Sequence, residues 1–483
     1  MVSVYKAGFR HAAYYLQILR VADKDYYLGH ASLLDGVKRF DAEWGNIEAG
    51  QAWAHENVGL NEEAARLCIN YPYWGAHVLD LRLGPRQRVS WLEAALTTAQ
   101  RLSDREAQSR NLNDLGLAYW QLGDIITSIQ FFEKALAIEQ EDGDRCGEMH
   151  TVINLGNAYS LLGDQHRAIH SYSSGLKLAR EMNDRKSEAL ALGNLGLCYR
   201  QIGEIQHSLK LHEKSLEIAQ ETGDRRSEAN ALGNIGIALT MLGRVRKGIE
   251  FHQHQLSIAR ELRDRPAEAT ALINLGAGYL RLGEYAKAAE FYEPHVFIAR
   301  KTEDRVGEAA ALNNLGIAFR YLGRFDEALE CHQEYLTLVQ EIGDRHGEGN
   351  ALSGIGLVYL DKRELPSALE HFERALVIYE ETNDPQAKGT TLGNLGNVHY
   401  LQGGFDSATE HHHRHLEIAR AVGDKLGQAN ALWNISLVLD AIGQRTGAIA
   451  RAEDALRIYK EIESPHEAKV TERLAQWYSL DRI

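Results

Sequence analysis

Cysteine is scarce in this chain, with four in 483 residues. Cys68, Cys146, Cys198 and Cys331 lie far apart and form no C-x-x-C pair. That spacing argues against a disulfide framework or a thiolate cluster and fits reduced thiols in a cytosol. Only seven prolines occur, which suits a largely helical chain. No apolar run approaches the roughly 20 residues of a membrane span. The N-terminal string MVSVYKAGFRHAAYY lacks the apolar core and cleavage site of a secretory signal. The expectation is a soluble, cytoplasmic protein with no membrane partner. Basic blocks are absent and the net charge is −14, so nucleic acid is excluded as a partner at long range. No G-x-x-x-x-G-K-[ST] loop offers a phosphate cradle. No Ser/His/Asp, Cys/His or paired-carboxylate set stands apart from the background pattern, so no catalytic residue, metal or cofactor is expected, and the chain does not read as an enzyme.

What is present is a forty-residue period. A glycine preceded by Leu or Ile stands at Gly116, Gly156, Gly196, Gly236, Gly276, Gly316, Gly356 and Gly396. Aspartate keeps the same step at Asp104, Asp144, Asp184, Asp224, Asp264, Asp304, Asp344, Asp384 and Asp424. Such a period marks a solenoid, in which each unit buries its apolar face against its neighbours. The length would otherwise suggest about three globular domains, a prior that the period overrides.

One unit, residues 184–223, shows the physics. Asp184 reads as an N-cap, and Glu188 sits where the helix dipole favours an anion. Leu192, Leu195, Gly196 and Tyr199 fall on one helical face. Gly203 ends that helix, and a second follows with Leu209, His212, Leu216, Ile218 and Ala219 inward. Each unit is therefore a helical hairpin. Pro385 and Pro465 directly follow capping positions, and Pro366 opens a second helix, where a missing N–H costs little. Pro294 falls inside a second helix and is expected to kink or distort it.

The L-G of the first helix, the aromatic three later (Tyr119, Tyr159, Tyr199, Tyr279, Phe319, Tyr359), the turn glycine and the Ala-rich second helix resemble the tetratricopeptide repeat in its forty-residue form. Residues 154–163, N-L-G-N-A-Y-S-L-L-G, match closely. The resemblance implies an all-α, right-handed superhelix of stacked hairpins. Nine units are expected over 106–464, preceded by a degenerate repeat at 64–105 and an irregular helical region at 1–63, and followed by a capping helix at 465–483. Within 1–63, helical stretches are expected at 8–22, 27–38 and 41–57. Arg363 and Ser436 replace expected glycines and mark units that are looser or end differently. The strings R-H-A-A-Y-Y-L (Arg10–Leu16) and F-D-A-E-W-G-N-I-E-A-G-Q-A-W-A (Phe40–Ala54) resemble a segment of bacterial signalling ATPases of the STAND/NB-ARC type. There it joins the ATPase part to a repeat sensor. This resemblance implies the sensor half, with an ATPase or effector domain as a further partner.

The candidate binding residues follow the period. An asparagine precedes L-G or its equivalent at Asn154, Asn194, Asn234, Asn274, Asn314, Asn394 and Asn434. This position lies away from the core face, and an amide can both donate and accept, so a row of them can bracket an extended peptide. In forty-residue adaptors of the spindle-orientation type, the matching asparagines line the peptide groove, and the resemblance carries that role to these positions. The competing reading is that each amide bonds the adjacent repeat and sets the stacking. Those adaptors carry an arginine four residues earlier. Here that position holds His150, Leu190, Asn230, Thr270, Ala310, Asn350, Thr390 and Asn430, which weakens the case for acidic-peptide recognition. Asn230, Asn350 and Asn430 remain candidate amides. Arg200, Arg281, Arg320, Tyr321 and Tyr400 could add charge and stacking.

His411 and His415 have a spacing that can ligate a metal, within the run His411-His412-His413. However, His212, His252, His332 and His412 recur at one repeat position, held elsewhere by Tyr172, Tyr292 and Phe372. That reads as an aromatic packing slot, and no metal is assigned. The recurring Asp-Arg pairs read as caps and linker ion pairs. The function expected is a non-catalytic scaffold or sensor binding a protein or peptide in a concave groove. The alternatives are the sensing arm of a STAND ATPase and, last, a metal-binding or enzymatic solenoid. Self-association through repeat ends is left open.

Overall fold

The nine aspartates on the forty-residue step cap nine helices. Each accepts a hydrogen bond from the backbone N–H three residues on, at 2.9 to 3.1 Å, as from Asp104 to Ala107 and from Asp424 to Gly427. Fixing the first turn this way sets the phase of everything that follows in the helix. The computed structural model describes residues 2–28 and 31–480. Residues 1, 29, 30 and 481–483, which fall within the expected irregular region 1–63 and capping helix 465–483, lie outside the described residues. All regular structure among the described residues is helical.

The chain divides into two compact units, Met1–Gly243 and Arg244–Ile483. The first unit holds α1 (Val2–Leu28), α2 (Ala31–Glu56), α3 (Glu62–Trp74), α4 (Ala76–Arg82), α5 (Pro85–Arg101), α6 (Arg105–Gln121), α7 (Ile125–Asp142), α8 (Arg145–Leu161), α9 (Gln165–Glu181), α10 (Arg185–Gln201), α11 (Ile205–Thr222) and α12 (Arg225–Met241). The second holds α13 (Val245–Leu262), α14 (Arg265–Arg281), α15 (Tyr285–Lys301), α16 (Arg305–Tyr321), α17 (Phe325–Ile342), α18 (Arg345–Asp361), α19 (Leu365–Glu381), α20 (Pro385–Leu401), α21 (Phe405–Ala421), α22 (Lys425–Ala441), α23 (Arg445–Glu461) and α24 (His466–Leu480).

The three short stretches expected near the N-terminus are instead two long helices, α1 and α2. A side chain at Gly36 would meet the Ala22 carbonyl oxygen at 2.6 Å, so the two helices cross closely there. Leu16, Leu19, Phe40, Ile47, Tyr71 and Trp91 form the core beneath them. Asp23 of α1 accepts from the backbone N–H groups of His77 and Val78 at 2.7 and 2.8 Å and so caps α4 from outside.

From α6 onward the helices alternate between two roles. Within each unit, first helices of successive hairpins touch one another, as α6 with α8, α10 with α12, α16 with α18 and α20 with α22. Second helices make at most marginal contact with the second helices of the neighbouring hairpins. First helices are therefore on the shorter, inner side of each unit. The hairpin turns use left-handed glycines, such as Gly203 at φ +86°. Arg363 occupies the same conformation at φ +63°, so its hairpin closes like the others. Ser436, in place of the other expected glycine, is fully buried and bonds back to the Trp433 carbonyl at 2.6 Å. The helix carrying Pro294 runs through it from Tyr285 to Lys301 without ending. Where an arginine follows a capping aspartate, its acidic partners lie elsewhere and are mostly glutamates. Arg345, for example, reaches Glu348 and Glu381.

Candidate peptide-binding faces

The first helices of seven hairpins are held in phase by an internal lock. A first-helix glycine packs on a ring sixteen residues later: Gly116 on Phe132, Gly156 on Tyr172, Gly196 on His212, Gly276 on Tyr292, Gly316 on His332, Gly356 on Phe372 and Gly396 on His412. A Cβ at Gly196 would stand 2.5 Å from the His212 ring. Rotation of the first helix is fixed by that contact, and the asparagine is turned away from the ring.

The two units use the row differently. In the first, Asn154 donates to Asn113 at 3.1 Å, and Asn194 donates to Asn157 at 3.3 Å. These bonds tie one first helix to the next. Asn234 is half-buried and makes no side-chain hydrogen bond among the described residues. In the second unit Asn314, Asn394 and Asn434 are likewise half-buried, and no hydrogen bond occupies their amides. Asn274 places its Nδ2 in a buried position with no partner. Asn350 and Asn430 instead accept from Tyr379 and Tyr459 at 2.9 and 2.7 Å, which gives them a role inside their hairpins. Asn230 is exposed.

Among the charged and aromatic candidates, Arg320 lies 3.3 Å from Asp361 and stacks over Tyr321 at 4.6 Å. Tyr321 in turn stacks on Tyr285 at 4.6 Å. Arg200 keeps its Nε buried and without a partner, and Arg281 is exposed. Tyr400 lines a cavity of about 350 Å³ with Trp433, Leu437 and, from α24, Lys469 and Arg473.

The recurring histidines fill the ring slot. His212, His252, His332 and His412 are at most 2% exposed. Burial pushes His212 and His332 down to about 4, aided by the nearby Arg200 and Arg320, and His412 down to about 3. Among the described residues no group of three or more His, Cys, Asp or Glu is placed to hold a metal ion. No helix among them is long and apolar enough to cross a membrane.

Comparison with known proteins gives the family. A tetratricopeptide repeat model matches residues 187–247, 227–295, 307–381 and 388–461, and a second such model matches 109–142 and 150–182. The chain belongs to the tetratricopeptide repeat family. Among solved structures it resembles a STAND signal-transduction ATPase with a tetratricopeptide repeat sensor from Pyrococcus horikoshii. That likeness has a TM-score of 0.58 at 14% identity and covers 86% of this chain and 65% of that one. It also resembles the apo form of the quorum sensor NprR from B. thuringiensis, with a TM-score of 0.52 at 14% identity over 71% of this chain and 96% of that one. Both likenesses show the fold. No curated protein matches the sequence. Tetratricopeptide folds are typical of protein-binding scaffolds.

One tetratricopeptide hairpin carries residues that the periodic reading passed over. Glu139 is 3% exposed, and Thr151 donates to its Oε1 at 3.1 Å. Both residues line a cavity of about 340 Å³ on the inner side of α6 and α8, together with Tyr73, Arg110 and Asn113. The available signal was a column in the repeat alignment. Glu139 stands where Ala179, Ala219, Ala259, Ala299 and Ala419 stand in other units.

Proposed function

We propose that this chain is a non-catalytic scaffold that holds an extended peptide segment of a partner protein along the first helices, chiefly those of the second unit. The observation that carries this reading is the unoccupied row of Asn314, Asn394 and Asn434, with the orphaned Nδ2 of Asn274 beside it. A buried amide without a partner costs stability, as at Asn274, and a peptide backbone supplies both a donor and an acceptor. The experiment is selection from a displayed peptide library with the full chain. The selected peptides are then titrated against a variant with Asn274, Asn314, Asn394 and Asn434 all changed to Ala. At about 1 kcal/mol per hydrogen bond, the variant is expected to bind more than tenfold more weakly at unchanged helicity. Equal affinity in the two proteins would sink the proposal.

A narrower reading makes the chain the sensing arm of a signalling ATPase. The STAND protein with a tetratricopeptide sensor supports it, since its fold covers 86% of this chain. Co-purification with a P-loop ATPase whose hydrolysis rate changes when a selected peptide is added would favour it. An ATPase indifferent to the chain and its peptide would count against it.

A further inference from the structure

Every other hairpin fills the position of Glu139 with an uncharged residue. Where that residue is polar, as at Tyr379 and Tyr459, its hydroxyl finds an asparagine of the same hairpin. Glu139 does not follow this rule. Its Oε1 is held by Thr151, a residue that is itself 1% exposed and stands in a column mostly of alanines. Its Oε2 is buried and has no partner. A carboxylate left half-bonded in the interior is costly unless a proton or a cation completes it. Burial raises this carboxyl to about 6, with Asp144 and Glu148 pushing the same way and the Thr151 bond opposing.

The surroundings favour the cation. The cavity beside Glu139 measures about 340 Å³, and Glu106 and Asp144 also line it. Arg110 is the nearby fixed cation; it stands 3.4 Å from Glu106 with its guanidinium 3.7 Å over the Tyr73 ring, and its Nε is buried without a partner. The exposed His150 is the other basic side chain at the wall. The Asn113 amide oxygen stands there as a second acceptor, 3.1 Å from Asn154. The three carboxylates at the wall, Glu106, Glu139 and Asp144, thus outnumber its single fixed cation.

We propose that this cavity is a subsite for a cationic nitrogen, an ammonium or a guanidinium, carried by a bound peptide and hydrogen-bonded to Glu139 Oε2. It deepens the scaffold reading and rests on it for the peptide as carrier. The occupant would neutralise a buried acid whose Oε2 has no partner among the described residues, and the neighbouring Asn154 would place the cavity beside the inner row of the first unit.

The test uses the full chain and four small probes. Acetyl-lysinamide carries a side-chain ammonium, acetyl-argininamide a guanidinium, alaninamide an α-ammonium, and acetyl-norleucinamide is the neutral control. Binding is followed by calorimetry and by the carbon resonance of the Glu139 carboxyl. At least one cationic probe is expected to bind and to lower the titration midpoint of that carboxyl, while the neutral control does neither. The arm that binds identifies the source of the nitrogen. Glu139→Gln is expected to weaken binding about tenfold or more, because charge-assisted bonds are roughly twice as strong as neutral ones. Glu139→Ala, which restores the residue of most other hairpins, should fold and bind none of them. No binding by any cationic probe, equal binding by Glu139→Gln, or equal binding of the neutral control would each overturn the proposal. The outcome is separable from that of the asparagine row. Loss of the subsite alone leaves peptide binding by the second unit intact, and loss of the row alone leaves the small cations bound.

Discussion

A histidine in the slot occupied elsewhere by Phe132 or Phe372 is a base stored in its neutral form. The unfolded chain binds a proton at the ordinary value of 6.5, whereas folded His212 and His332 do so only near 4. The unfolded state therefore holds more protons between those values. Stability from these rings is complete above about pH 6.5 and is lost as pH falls towards 4, by at most about 1.4 kcal/mol per pH unit for each ring. Glu139 has the opposite sign. Its folded value near 6 lies above the ordinary 4.5, so it adds stability as pH drops through that range. The expected net result is a denaturation midpoint that falls from pH 7 to pH 5, and falls less in His332→Phe. Urea titrations at the two pH values check this, and an unchanged slope in the variant would mean that the buried ring is not the source. At this scale the sequence was partly legible. Recurrence identified the ring slot and the phase of the asparagine row. It could not show that Asn154 and Asn194 would find Asn113 and Asn157 across a helix pair, because that depends on side-chain reach between packed helices. Glu139 stood out in its column only once burial and an unpaired oxygen gave it weight.

The elements were the most legible level, since caps, turns and ring slots all repeat on one period and agree with one another. The failures came where no period exists. Three stretches, 8–22, 27–38 and 41–57, were expected where α1 and α2 run, and burial of Phe40 and Ile47 carries α2 through the expected gap at 39–40. Propensity is a weak guide once packing decides. The turns offer a direct comparison. Arg363 holds a left-handed conformation that costs a side chain roughly 1 kcal/mol, and Gly323 holds the same conformation at φ +74° without that cost. Arg363→Gly is expected to raise the unfolding free energy by about 0.5–1 kcal/mol, and Gly323→Ala to lower it by a similar amount. Chemical denaturation of both variants measures the pair, and changes of the same sign would contradict the argument.

At the scale of the whole molecule, the last hairpin is closed by α24. Val470, Leu474 and Trp477 are buried against α22 and α23, with the Trp477 and Trp433 rings 6.2 Å apart. Trp477 also donates to Asp440 at 3.0 Å, which anchors the helix by a polar bond. Ending the chain at Ser464 would expose this apolar face, and solenoids depend on such caps. The shortened chain is expected to self-associate at concentrations where the full chain shows less, as light scattering after size exclusion would detect. Identical mass distributions would place the cap's role elsewhere. The net charge of −14 should oppose this association at low salt and permit more of it as salt rises.

The contact between a first-helix glycine and the ring sixteen residues later lies wholly inside one hairpin, as with Gly196 and His212 or Gly356 and Phe372. A forty-residue cassette with this contact therefore brings its own means of setting the angle at which its first helix faces outward. Shuffling cassettes cut at the capping aspartates would rewrite the order of side chains offered to a ligand and keep these internal contacts, while bonds between hairpins, such as Asn154 to Asn113, would have to be matched at each new junction.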